Sequence, residues 1–154
     1  MNAIDCAMRM ARIIKASPRI RQLMQVKFEE APTVKLGYAQ NMQDWEEDTP
    51  FFIFVPNATR RDAEGEKADV TMFVGLREPA EIDEGGISVL AAYPVMQEAL
   101  AISIGEIAEQ MRGVCPTAMV EETVTEYRQE NFPLIWAGVE ITVNEPMPVG
   151  YRRM

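Results

Sequence analysis

Pro50-Phe51-Phe52-Ile53-Phe54-Val55-Pro56 and Phe132-Pro133-Leu134-Ile135-Trp136-Ala137-Gly138-Val139-Glu140-Ile141-Thr142-Val143 are the two runs that decide how this chain folds. Both are rich in aromatic and β-branched residues, which fit a pleated, half-buried surface. The prolines around the first run cannot donate to a ladder and so mark strand ends, which predicts a strand at Phe51–Val55. In the second run Ile135, Ala137, Val139, Ile141 and Val143 alternate, and a period of two sets all five against one surface.

Working outward, Ala68 to Leu76 alternates again, with Val70, Met72 and Val74 on one face and Thr71 and Phe73 on the other. Between it and the first run, the polar stretch Asn57 to Lys67 reads as an exposed loop. Thr33 to Tyr38 alternates as a half-buried strand, and the acidic stretch Gln40 to Thr49 after it reads as a loop. Thr117 to Tyr127 is a further strand.

Helical periodicity takes over elsewhere. Tyr93, Met96, Leu100, Ile104, Ile107 and Met111, with Val89 before them, step by three and four along one face. Pro94 fits only a first turn, so the long helix is expected from about there to Arg112, with Gly113 as its left-handed cap. The connector Glu78 to Gly86 precedes it. At the N-terminus Ile4, Met8, Ala11 and Ile14, with Ala7 and Met10 beside them, mark the apolar face of a first helix, while Asp5, Arg9 and Arg12 share another. Ser17-Pro18 is a cap followed by a first-turn proline, opening a second helix that buries Ile20, Leu23, Met24 and Phe28 and ends before Ala31-Pro32.

These elements give a single α+β domain over 1–154, with N-terminal helices about 2–29 and an extended, proline-rich arm about 144–154. Its mainly antiparallel sheet has about five strands, packed by one long helix and the N-terminal helical region. A chain of 154 residues with 47% hydrophobic content buries a core without metals or disulfides. The first residues lack a signal-peptide pattern and no run approaches a membrane span, so the expected setting is soluble and intracellular. Cys6 and Cys115 fit no CxxC spacing and read as buried thiols.

The sequence contains no histidine, which removes Ser-His and Cys-His pairs and the commonest metal ligand. No Walker A motif is present, and Gly85-Gly86 has no partner glycine at dinucleotide spacing. Asp62-x-Glu64-x-Glu66 with Asp69 offers carboxylates for calcium but lacks the twelve-residue loop pattern, and a solubilising hairpin tip accounts for it. Asp44, Glu46, Glu47 and Asp48 have the same reading. Trp136 and Phe132 lack the interleaved bases of a nucleic-acid platform, leaving core or interface packing as their role. Most of the 11 methionines fall on apolar faces and read as gap-filling core.

Charge is distributed unevenly. Residues 1–28 carry six bases against Asp5, or +5, and the remaining 126 carry nine bases against 23 acids, or −14. A basic first element on an acidic body suits contact between unlike surfaces of neighbouring copies; a solvated helix face is the plainer alternative.

Thr49-Pro50-Phe51-Phe52-Ile53-Phe54-Val55-Pro56, the loop ending Glu64-Gly65-Glu66, the strand Asp69-Val70-Thr71-Met72-Phe73-Val74-Gly75-Leu76, the amphipathic helix and Phe132-Pro133-Leu134-Ile135-Trp136-Ala137-Gly138 together resemble the tail terminator, or tail completion, proteins of long-tailed bacteriophages and prophages. The resemblance spans residues 33–146, and its motifs are mostly hydrophobic patterns. It implies a structural, non-enzymatic protein of the virion, assembled in the host cytoplasm as a homo-oligomeric ring, usually of six copies, at the head-proximal end of the tail. The implied partners are the tail tube protein and a head-completion or neck protein, with no specific nucleic acid, membrane, cofactor or metal. No catalytic residues carry over. The N-terminal helices and the C-terminal arm depart from the family pattern.

Candidate contacts between copies are Arg9 and Arg12 on one side and Glu46, Glu47 and Glu81 on the other. Two other readings stand beside this one: a different neck or head-tail joining component, and a small acidic-residue, metal-dependent enzyme or ligand-binding domain.

Overall fold

The computed structural model describes residues 1–38, 42–114 and 118–146; Cys115 and the end of the expected C-terminal arm lie outside them. The fold is α+β. Three helices, α1 (Ala3–Ala16), α2 (Pro18–Phe28) and α3 (Ala92–Val114), accompany a main sheet built from β1 (Thr33–Leu36), β2 (Phe51–Asp62), β3 (Gly65–Arg77), β6 (Met119–Arg128) and β7 (Leu134–Pro146). A separate hairpin, β4 (Glu81–Glu84) with β5 (Ile87–Leu90), stands between β3 and α3, and a 3-10 helix covers Met42–Asp48. The main sheet runs in the order β1-β2-β3-β7-β6. Every pairing in it is antiparallel except β1 with β2, which is parallel.

Strand alternation divides the sheet into two unlike faces. Phe52, Phe54, Val70, Met72, Val74 and Leu76 join Ile135, Ala137, Val139, Ile141 and Val143 beneath the three helices, forming the main core. The β7 alternation thus faces the surface the sequence assigns to it. On the opposite face Phe51, Ile53 and Leu134 pack with Trp45, and Val55, Phe73 and Trp136 close around them. Trp45 comes from the 3-10 helix, in a stretch expected to be loop. It is 2% exposed and meets Phe51 edge-on, with ring centroids 5.4 Å apart. Such aromatic contacts add about 0.5–1.5 kcal/mol each beyond their buried area.

The β2–β3 hairpin is longer than the sequence predicts. The stretch expected to be an exposed loop continues the ladder from Asn57 to Lys67, turning only at Asp62–Gly65. Pro56 does not end β2, because β1 stops pairing at Leu36↔Phe54. Beyond that point β2 has a free edge, where a missing N–H breaks no bond to a neighbour. A bulge between Pro56 and Ala58 absorbs the irregularity. Asp62 Oδ1 accepts hydrogen bonds from the Glu64 and Gly65 amides at 2.8 and 3.2 Å, which fixes the turn.

The helices differ from expectation in detail. On α1 the buried seam is Ala3, Cys6, Ala7, Met10, Ala11, Ile13 and Ile14, whereas Ile4 and Met8 face outward. Small residues let the helix sit close on the sheet, so the seam follows Ala and Cys and leaves two of the larger apolar side chains outside it. Ser17 caps α2 by accepting from the Ile20 amide, Pro18 opens its first turn, and Ile20, Leu23 and Met24 are buried as expected. Helix α3 continues through Gly113, which does not adopt the left-handed conformation of a cap. β1 ends at Leu36 because Gly37, with φ of 74°, turns the chain away.

Candidate interaction surface

Asn2 starts α1, its side chain accepting from the Asp5 amide at 2.8 Å. That cap fixes the helix phase, and the phase places Asp5, Met8, Arg9 and Arg12 around one shallow depression of about 320 Å³. Arg9 is half-buried and Arg12 exposed. Among the described residues none of the six bases in residues 1–28 forms an ion pair. Their charges are therefore available to a partner.

The candidate acids lie elsewhere. The 3-10 helix, anchored by Trp45, holds Glu46 and Glu47 on the face of the sheet opposite to α1. Glu46 is already engaged: its Oε1 accepts from Arg77 Nε at 2.6 Å. Asp48 likewise binds Lys35 Nζ at 2.7 Å. Glu47 is exposed, and Glu81 is exposed at the start of β4. One chain thus keeps the α1 bases and the acids of the 3-10 helix on opposite sides of the sheet.

At the start of α1, the Met1 ammonium lies 2.9 Å from Glu145 and 3.2 Å from Glu66. The Glu145 hydrogen bond is the main cause raising the pKa of that ammonium. Burial pushes the Glu66 carboxyl upward, but Arg61 Nε at 2.6 Å and the ammonium outweigh it and hold the group below its usual range. This cluster ties the start of α1 to the ends of β3 and β7.

The carboxylates weighed for calcium do not converge. Asp62 is turned onto backbone amides, Glu66 pairs with Arg61, and Asp69 pairs with Arg60 at 3.0 Å while accepting from Thr142 at 2.8 Å. Glu66 and Asp69 also sit on opposite faces of β3, since their positions differ by an odd number. Among the described residues no group of three or more His, Cys, Asp or Glu side chains is placed to hold a metal ion. No described helix is long and apolar enough to cross a membrane.

Of the two aromatics considered for stacking, Trp136 packs into the second cluster, 5.7 Å from Phe73 and 5.9 Å from Trp45 between centroids. Phe132 instead stands outside the core, 52% exposed in the turn before β7. Met10, Met24, Met72, Met96 and Met111 are core, whereas Met8 and Met119 are exposed.

Sequence reasoning missed the β4–β5 hairpin, an exposed projection in place of a simple connector. Its signal was Gly85-Gly86 between two short runs: both glycines take positive φ, 61° and 88°, as a two-residue hairpin turn requires. It also missed the groove between α2 and α3, where Val26 stands exposed above buried Leu23 and Ile102. No protein-family model matches the chain, and a search of the curated proteins finds no significant relative.

Proposed function

We propose that the protein is a structural tail terminator of a long-tailed bacteriophage or prophage, forming a ring, with six copies as the expected number, that caps the tail tube and offers a surface to the head-completion protein. The observation that carries this reading is the meeting of the three resembling segments. Pro50–Pro56, Asp69–Leu76 and Pro133–Gly138 stand side by side as parts of β2, β3 and β7, the centre of the main sheet.

Charge geometry supports the ring. A ring needs one patch to meet a different patch of the next copy. The α1 bases, unpaired among the described residues, and the exposed acid Glu47, carried by the 3-10 helix that packs on the opposite face of the sheet, suit that arrangement. A net charge of −9 would also discourage DNA from adhering during passage through a central hole.

The test is electron microscopy of the purified protein alone and with growing tail tubes. Rings with a central hole that seat on tube ends and stop elongation are the expected result. Rings that ignore tubes but bind another neck component would assign the protein to that role. A strict monomer at high concentration that leaves tubes unbound and growing would remove the proposal.

A further inference from the structure

The β4–β5 hairpin pairs with no strand of the main sheet. An isolated two-stranded hairpin is at best marginally stable in water, so its apolar side chains matter to its survival. The register Ile82↔Val89 and Glu84↔Ile87 puts Ile82, Ile87 and Val89 on one face of the hairpin. Ile87 is 67% exposed and Ile82 38%. Glu84, directly opposite Ile87, shares this face, whereas Glu81 and Asp83 project from the other face.

A complementary surface lies between α2 and α3. It is a groove of about 410 Å³ with Leu23 and Ile102 in its floor, Val26 on its rim, and Arg19 and Lys27 beside them. Glu98 is the single acid of its lining, so the groove carries a net positive charge of one, from two bases minus one acid. Neither Arg19 nor Lys27 forms an ion pair among the described residues. Three aliphatic side chains with one acid, Glu84, among them match an aliphatic groove flanked by two bases.

We propose that the β4–β5 hairpin of one copy seats in the α2–α3 groove of the next, Ile87 packing against Val26 and the Glu84 carboxylate meeting Arg19 and Lys27. The contact joins two different patches, so each copy keeps a free hairpin and a free groove until a ring closes. This inference rests on the ring reading and names one interface within it.

Paired cysteines test it, in a Cys115→Ser background where the remaining native thiol, Cys6, is buried. Chains carrying Val26→Cys are mixed with chains carrying Ile87→Cys under mild oxidation. A disulfide-linked dimer should form in the mixture, and Val26→Cys with Ile87→Cys in one chain should give a ladder of covalent oligomers. Glu84→Lys should cut the mixed-dimer yield by about fivefold or more, since like charges then face each other. Adding Arg19→Glu and Lys27→Glu to the partner chain should restore it, with circular dichroism unchanged throughout.

Assembly by light scattering without cross-linking would overturn the hairpin contact and leave the ring intact. Monomers at the highest soluble concentration, with or without tail tubes, would overturn both. A disulfide formed within the single chain of the double-cysteine variant would show the hairpin seated on its own groove, and would also overturn the proposal.

Discussion

Phe51 fills the space that a side chain at Gly75 would need. The two residues are direct cross-strand neighbours on β2 and β3, and a Cβ added at Gly75 would stand 2.1 Å from the end of the Phe51 ring. Phe51 is fully buried and held against Trp45, so it has no free space to yield. Gly138 repeats the arrangement at 3.2 Å from Phe73, its own cross-strand neighbour.

Gly75→Ala should therefore destabilise the fold by about 1–3 kcal/mol through overpacking. Chemical denaturation measures the loss. In a Phe51→Ala background the same substitution should cost much less, because the obstructing ring is gone; additive losses would show that the ring and the glycine do not interact.

Trp45→Ala should cost about 3–5 kcal/mol, the range for emptying a buried aromatic site. The Trp45 indole N–H is buried with no hydrogen-bond partner among the described residues. Trp45→Phe should consequently cost clearly less, since it keeps an apolar ring and removes the unpaired donor. Urea midpoints of the two variants decide the point.

Cys6 is fully buried, and burial raises its thiol pKa to about 11. In a Cys115→Ser variant at pH 8, a thiol-reactive dye should label Cys6 only after denaturant is added. The unfolded thiol titrates near pH 8.5, so stability due to the neutral folded thiol is complete below that pH. It should decline as pH rises from about 8.5 to about 11, and thermal melts across that window would detect the fall.

The Asp62 carboxylate makes its two hydrogen bonds to backbone amides. Asp62→Ala should cost about 1 kcal/mol. Calcium or a chelator should leave the wild-type melting temperature unchanged; a rise of several degrees with calcium would reveal preferential binding to the folded state.

Arg9→Glu with Arg12→Glu should leave the monomer folded and within about 1 kcal/mol of wild type, since Arg12 is exposed and the half-buried Arg9 has no ion pair among the described residues. If these bases meet acids of the next copy in the proposed ring, assembly should weaken nonetheless, and in a phage the tails should be of uncontrolled length or fail to join heads. Light scattering at low and high salt reads this out. Unaltered assembly would make that helix face a solvated one.

Much of the main sheet was legible because burial imposes a period of two, as at Ile135 through Val143. The outer half of β2 was not, since Asn57 to Asp62 is exposed throughout and owes its strand form to ladder bonds and a turn. On α1 the larger Ile4 and Met8 outweighed Ala3 and Cys6 in the pattern, although close packing favours the small residues. Trp45 gave no periodic signal, being a lone apolar anchor among acids. Of the candidate contact residues, sequence located the charges but not the Glu46–Arg77 pair, which joins residues distant in the chain.

At the far side of the main sheet β6 ends the strand order, with one edge unpaired among the described residues along Met119–Arg128. A bare edge of that length is a template on which another chain can add a strand. Here Glu121, Glu122 and Glu126 are exposed along it, and the ladder slips between Glu122 and Val124. Two such edges would oppose like charges and mismatched spacing, so sheet-to-sheet growth is discouraged. Copies can then crowd together at high local concentration without running on into a fibre.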